Sequence, residues 1–141
     1  MRTLWDGDHA AHDGDLLSFS GISVNPKPVN GRVPIHIGGH STASARRAGR
    51  LGDGFFPGKG DVRQLIGIVR EAAEEAGRDP DSIEVTYGSA EVFGSDPVGA
   101  VQELADAGVD RVVVPAFLHM GDPATSLAAF GEEVIAPTAD A

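Results

Sequence analysis

The sequence predicts an α/β fold that is built from four consecutive strand–helix units. Short apolar runs alternate with longer segments in which apolar residues recur at helical spacing. The fourth of the short apolar runs includes three consecutive valines at residues 112–114, which is typical of a parallel strand covered on both faces. Alternation of strands and helices favours a parallel sheet with right-handed crossovers. These residues alone allow either a small doubly wound sheet or half of an eight-stranded barrel.

The chain is expected to divide near residue 32. Residues 1–32 are rich in Asp, His and Gly, and are predicted to be irregular, with a short strand or hairpin arm over residues 16–24. Residues 33–141 are predicted to form the α/β domain. Its strands are expected at residues 33–37, 55–57, 83–88 and 111–115.

The helices are predicted from their caps and from their apolar stripes. The first follows a possible cap at Ser41 or Thr42 and runs to about residue 51, and the last covers residues 123–135. The second, over residues 61–76, ends before Gly77, and the third begins at Asp96 and ends at Gly108. The apolar positions expected to be buried are Val62, Leu65, Ile66, Val69, Ala72, Ala73 and Ala76 in the second helix, and Val98, Val101, Leu104 and Ala105 in the third.

Composition and charge exclude several classes of function. The 141 residues carry 21 acidic and 11 basic side chains, a net charge of −10, which argues against nucleic acid and anionic membranes as partners. Cysteine is absent, so disulfides, thiol catalysis and cysteine-based metal sites are excluded. No apolar run is long enough for a signal peptide or a membrane helix, and a soluble cytoplasmic protein is expected.

The strongest local signal for a binding site lies at residues 35–44, IHIGGHSTAS. A predicted strand ends in Gly38 and Gly39, and hydroxyl residues begin the next helix. Glycines allow close approach of backbone to a ligand, and a helix N-terminus offers unpaired N–H groups to an anion. A tight turn with an ordinary cap explains the pattern equally well. The dinucleotide-binding fingerprint is absent.

The five histidines are given different roles by their sequence context. His9 and His12 lie in the Asp-rich N-terminal stretch and are expected to be solvated, so no metal site is predicted. His36 alternates with two isoleucines and is expected to be packed and hydrogen-bonded. His40 follows the two glycines and is the better candidate for ligand contact. His119 follows the last strand and is either a ligand contact or a mobile loop residue.

Several stretches resemble the luciferase-like monooxygenases, a family that includes bacterial luciferases, alkanesulfonate-type monooxygenases and deazaflavin-dependent reductases. Residues 33–39 (VPIHIGG) and 44–57 (SARRAGRLGDGFFP), preceded by PKP at residues 26–28, carry the most specific part of the resemblance. Weaker similarity extends to LW at residues 4–5, FSG at 19–21 and AGVDRVVV at 107–114.

The resemblance implies a (β/α)₈ barrel of which this chain holds only the C-terminal half, strands five to eight. It also implies that the turn after the fifth strand binds the phosphate end of FMN or of the deazaflavin coenzyme F420. Carried onto this chain, the cofactor-binding residues are Gly38, Gly39, His40, Ser41 and Ser44. Catalytic residues cannot be assigned, because much of the ring pocket belongs to the first four strands.

A half-barrel leaves two edge strands, which invites pairing with another chain. A homodimer or a partner chain that completes the barrel is therefore expected. The leading functional hypothesis is a flavin- or deazaflavin-dependent oxidoreductase, or a subunit of one. The alternatives are a non-catalytic flavin-binding or assembly protein, and a truncated remnant without activity.

Overall fold

A computed structural model of the chain describes residues 1–139, which divide into two compact units. The first unit is Met1–Pro34. It contains a short helix, α1 (Arg2–Trp5), and a two-stranded antiparallel sheet, β1 (Ala10–His12) with β2 (Phe19–Ile22). The expected strand within residues 16–24 is therefore present as β2, whereas α1 and β1 replace part of the segment predicted to be irregular.

A lysine holds the start of the first unit in place. The Lys27 ammonium group donates hydrogen bonds to the carbonyl oxygens of Leu4, at 2.9 Å, and Gly7, at 2.6 Å. Its Nζ atom also lies 3.8 Å from a carboxylate oxygen of Asp8. These contacts let a charged donor satisfy one carbonyl group in the last turn of α1 and one in the segment that follows it.

The second unit begins at Ile35 and contains the predicted α/β fold. Its four strands are parallel and lie in the order β3-β4-β5-β6. They are β3 (His36–Gly38), β4 (Gly54–Phe56), β5 (Glu84–Tyr87) and β6 (Arg111–Val112). The helices that follow them are α2 (Thr42–Leu51), α3 (Val62–Glu75), α4 (Pro97–Asp106) and α5 (Pro123–Phe130). A π-helical turn, Gly131–Ile135, continues α5.

The two edge strands are shorter than predicted. The first edge strand was expected to begin at residue 33, but it begins at His36, because the Ile35 N–H bonds to the side chain of Asp53 at 2.9 Å. The other edge strand ends at Val112, although the N–H of Val113 still bonds to the neighbouring strand. Pro115 has no N–H to donate, so it cannot prolong the ladder.

The helices of the second unit pack on one face of the sheet. Two clusters form the core, one centred on Phe55 between α2 and α3, the other centred on Val85 between α3 and α4. The predicted stripe of α3 is buried as expected from Leu65 to Ala73, but Ala76 is exposed. The helix ends at Glu75, and Gly77, at φ +67°, turns the chain away, as its predicted capping position requires.

Helices α2 and α3 approach each other closely at Gly49. A Cβ atom there would lie 2.8 Å from the Cβ of Ala72, so no side chain fits. Arg78, just beyond α3, donates hydrogen bonds to the carbonyl groups of Gly49 and Gly52. These contacts cap the C-terminal end of α2 and fix the helix against the core. Among residues 1–139, no helix is long and apolar enough to cross a membrane.

Candidate functional site

The turn between β3 and α2 has a conformation that requires glycine. Gly39 has φ +125°, a region that residues with a side chain rarely adopt. A Cβ atom at Gly39 would lie 2.9 Å from the Cβ and 3.0 Å from the Oγ of Ser44. The Gly39 N–H bonds to the carbonyl oxygen of Phe56 at 3.2 Å, which ties the turn to the end of β4. The turn therefore contacts Ser44 of α2 on one side and the end of β4 on the other.

Ser41 and Ser44 form a reciprocal cap at the start of α2. The Ser44 N–H bonds to Ser41 Oγ at 3.2 Å, and the Ser41 N–H bonds to Ser44 Oγ at 3.0 Å. The Ser44 hydroxyl also donates to the carbonyl oxygen of Ser41 at 2.7 Å. Because Ser44 is only 7% exposed, its hydroxyl shapes the turn from inside. Ser41 is exposed at the helix start.

The first turn of α2 combines open space with backbone donors. The first intrahelical hydrogen bond runs from the Ala45 N–H to the Ser41 carbonyl oxygen, so the N–H groups of Thr42 and Ala43 have no acceptor within the helix and point out of its end. No acidic residue occupies this turn, and the helix dipole adds positive potential there. A Cβ atom placed on Gly38 would meet no heavy atom within 4 Å. An anion therefore has both room and donors at this position.

A second loop meets this turn at the carboxyl end of the sheet. The exposed side chain of His40 reaches the loop after β4, where its Nδ1 atom lies 3.9 Å from a Cβ placed on Gly58. The next residue, Lys59, is an exposed cation in the same loop. Lys59 was not among the site residues predicted from the sequence. The signal that would have found it is its place directly after the strand adjacent to β3.

His119 does not belong to this site. It is 7% exposed, its Nδ1 atom lies 2.6 Å from Ser126 Oγ, and its ring meets the ring of Phe130 edge-on at 5.8 Å. Its buried Nε2 atom has no hydrogen-bond partner in the described part of the chain. His119 is therefore a packed residue of the segment that joins β6 to α5, rather than the mobile loop residue that was one of its two expected roles.

His36 is less enclosed than predicted. Its side chain is 34% exposed and lies against Gly54, with Nε2 4.0 Å from a carboxylate oxygen of Glu84. It lies on the sheet face opposite the core. As for metals, residues 1–139 contain no group of three or more potential ligands.

Comparison with known proteins identifies the family. A model of the luciferase-like monooxygenases matches residues 1–138. The chain belongs to this family. The resemblance expected from the GG turn and the following helix is therefore confirmed.

Curated relatives match this chain over only part of their own length. The F420-dependent glucose-6-phosphate dehydrogenase of Mycobacterium leprae is 38% identical over 109 residues, which is 74% of this chain and 32% of the relative. The enzyme of the same name from Mycobacterium tuberculosis is 42% identical over 89 residues, 60% of this chain and 26% of the relative. The chain thus spans about a third or less of these relatives.

Solved structures of the same fold include an F420-dependent tetrahydromethanopterin reductase from Methanopyrus kandleri. It superposes with a TM-score of 0.67 over 80% of this chain and 54% of its own, at 17% identity, which shows the fold alone. An F420-dependent secondary alcohol dehydrogenase, in complex with an F420-acetone adduct, gives a TM-score of 0.54 at 27% identity and covers 62% of this chain and 28% of its own.

Proposed function

We propose that this chain is part of an oxidoreductase that uses coenzyme F420 or FMN, and that it binds the phosphate of the cofactor at the N-terminus of α2. The residues assigned to this role are Gly38, Gly39, His40, Ser41 and Ser44. The proposal rests above all on the β3–α2 turn, which combines a glycine-only conformation with an open, acid-free helix start.

Each residue of the turn has a separate task in this proposal. Gly38 leaves the space for the phosphate, and Gly39 allows the backbone to turn under it. Ser44 holds the helix start from inside, while Ser41 and the first helical N–H groups face the anion. His40 stands at the rim, beside the loop that carries the cation of Lys59.

The relatives favour a redox cofactor over other anions. The curated relatives and one solved structure above 25% identity are named as F420-dependent enzymes. When bound, a deazaflavin accepts or donates hydride, and a reduced flavin reacts with oxygen. The protein's part is to bind the phosphate tail and fix the position of the ring. We further propose that the four strand–helix units correspond to units five to eight of a (β/α)₈ barrel.

A binding experiment with matched ligands tests the role of the turn. The chain is titrated with F420, FMN and riboflavin, and quenching of ligand fluorescence is followed. FMN and riboflavin share a ring and differ by the phosphate. If the turn binds phosphate, FMN should bind at least about tenfold more tightly, because one hydrogen bond to a charged group contributes about 1.5–3 kcal/mol.

The outcomes separate the possible functions. Saturable binding of F420 or FMN supports the cofactor role and identifies the cofactor. Equal affinity for FMN and riboflavin would contradict phosphate binding at the turn. Turnover is then assayed with glucose 6-phosphate, which the names of the curated relatives suggest as the first hydride donor. Binding without turnover of any donor would favour a non-catalytic cofactor-binding protein.

A further inference from the structure

One aspartate joins the starts of three strands at the amino end of the sheet. Asp53 lies between two buried glycines, directly before β4. Its backbone N–H bonds to the carbonyl oxygen of Ile35 at 2.8 Å, and its side chain accepts a hydrogen bond from the Ile35 N–H at 2.9 Å. Its own carbonyl oxygen accepts a hydrogen bond from the N–H of Glu84 at 3.2 Å. Asp53 is therefore bonded to β5 on one side and to the residue before β3 on the other.

The two glycines beside Asp53 allow this close approach of the strands. A Cβ atom at Gly52 would lie 3.0 Å from a side-chain carbon of Ile37, which belongs to β3. A Cβ atom at Gly54 would overlap the ring of His36, which also belongs to β3. A larger residue at either position would push β3 away from β4. The sequence Gly-Asp-Gly thus has a structural task that the chemistry of the phosphate turn does not account for.

Strand β3 is held at both of its ends. It pairs with β4 through the three residues His36–Gly38, so it forms few ladder hydrogen bonds of its own. Beyond its carboxyl end, the N–H of Gly39 bonds to the carbonyl oxygen of Phe56 at 3.2 Å. Before its amino end, two hydrogen bonds close a ring between Ile35 and Asp53. These end contacts are therefore a large part of what holds the β3–α2 turn in its place.

The same arrangement of an aspartate recurs at the start of β6. Asp110 comes directly before this strand, and its N–H bonds to the carbonyl oxygen of Val85 at 2.9 Å. Its side chain accepts a hydrogen bond from the Val85 N–H at 2.7 Å. Strand β6 is separated from β3 by two other strands. The sheet thus contains two matched aspartates, of which Asp53 alone adjoins the strand that leads to the phosphate turn.

We propose that Asp53 is a positioning residue for the cofactor phosphate, because it fixes the register of β3 and with it the place of the Gly38–Gly39 turn. The identity of the ligand rests on the proposed function. Asp53 does not touch the phosphate, since it lies at the amino end of the parallel strands and the turn lies at their carboxyl end. Donors must be placed to within about 0.5 Å of the productive geometry, so a shift of β3 weakens binding without removing any donor.

The test compares the matched variants Asp53→Ala and Asp110→Ala. Each removes one carboxylate acceptor from a backbone N–H, so both should lower the urea midpoint of unfolding by similar amounts. The quantity measured is the dissociation constant of riboflavin divided by that of FMN. We expect this ratio to be at least about tenfold in the wild type and in Asp110→Ala, and less than about threefold in Asp53→Ala. Equal ratios in the two variants would overturn the proposal.

Asp53→Asn separates the hydrogen bond from the negative charge. Its amide oxygen can accept the same hydrogen bond from Ile35, so we expect the wild-type ratio to be kept. An Asp53→Asn protein with the low ratio expected of Asp53→Ala would overturn the positioning role. If Asp53→Ala does not fold, Asp53→Ser and Asp110→Ser replace the two alanine variants, because the hydroxyl group remains polar but extends less far than a carboxylate.

Amide hydrogen exchange reports on the turn in the absence of ligand. The Gly39 N–H is the reporter, since its bond to Phe56 lies at the end of β3 that is remote from Asp53. In Asp53→Ala it should exchange at least about tenfold faster than in Asp110→Ala, and equal rates would overturn the proposal. A wild type that does not prefer FMN to riboflavin would refute the proposed function alone. Faster exchange of Gly39 in Asp53→Ala would then still support the role of Asp53 in placing the turn.

Discussion

Replacement of Gly39 by alanine should damage both the stability and the binding site of the chain. At φ +125° a residue with a side chain is strained by about 1–3 kcal/mol. The new Cβ would lie 2.9 Å from the Cβ of Ser44, so Ser44 must move, and the reciprocal cap with Ser41 would be lost at about 1 kcal/mol. Together these effects predict a loss of about 2–4 kcal/mol in the free energy of unfolding.

Gly38→Ala is the matched control, since it adds the same methyl group one residue earlier. Its Cβ meets no heavy atom within 4 Å, so the free energy of unfolding should change by less than about 0.5 kcal/mol. Urea denaturation followed by circular dichroism measures both variants. With a slope near 2 kcal/mol per molar, the midpoint of Gly39→Ala should fall by about 1–2 M. Equal midpoints for Gly38→Ala and Gly39→Ala would refute the conformational argument.

Further predictions concern the framework around the turn. Gly49→Ala should lower the free energy of unfolding by about 1–3 kcal/mol, because its Cβ would overlap α3. In the control, Gly67→Ala, the new Cβ meets nothing within 4 Å, so the free energy of unfolding should rise by about 0.5–1 kcal/mol. A Gly49→Ala variant that is more stable than the wild type would show that α2 and α3 separate easily. Arg78→Met removes the side-chain donors that cap the C-terminal end of α2, so it should destabilise the chain by about 1–3 kcal/mol. It should also speed amide hydrogen exchange in the last turn of α2. An unchanged exchange rate would contradict the capping role of Arg78. The hydrogen bond from the side chain of Thr125, followed by that from its backbone N–H, holds the pKa of Asp122 below its ordinary value. The contribution of this cap to stability is therefore present above the ordinary pKa of aspartate and is lost as the pH falls through the lower folded value. An NMR titration that finds an unshifted carboxyl pKa at Asp122 would contradict this.

The sequence was sufficient to predict the order of the α/β elements, because that order depends on local signals. Spacing of apolar residues located α3, and the Asp-Pro pair at residues 96–97 located the start of α4, where the Asp96 side chain accepts a hydrogen bond from the N–H of Gly99. The lengths of the edge strands were not predictable in the same way. They depend on pairing between strands that are distant in the chain, such as the contact of Ile35 with Asp53.

The candidate site was predictable only where it is continuous in sequence. The glycines and serines of the β3–α2 turn are neighbours in the chain, so their pattern was visible. The position of Lys59 near the turn and the contacts of Glu84 with His36 and Arg111 depend on the parallel register of different strands. No pattern of neighbouring residues in the sequence predicts such contacts. The burial of His119 likewise depends on α5, which packs over it after the chain has turned.

The cofactor affinity of Thr42→Asp, compared with that of Thr42→Asn, shows whether the phosphate binds at the start of α2. A carboxylate in the first turn of α2 should stabilise the helix by about 0.3–1 kcal/mol through the helix dipole, yet repel a bound phosphate. We expect Thr42→Asp to be at least as stable as Thr42→Asn and to bind FMN or F420 at least about tenfold more weakly, while its affinity for riboflavin is unchanged. Equal cofactor affinity of the two variants would show that the phosphate does not bind at this turn.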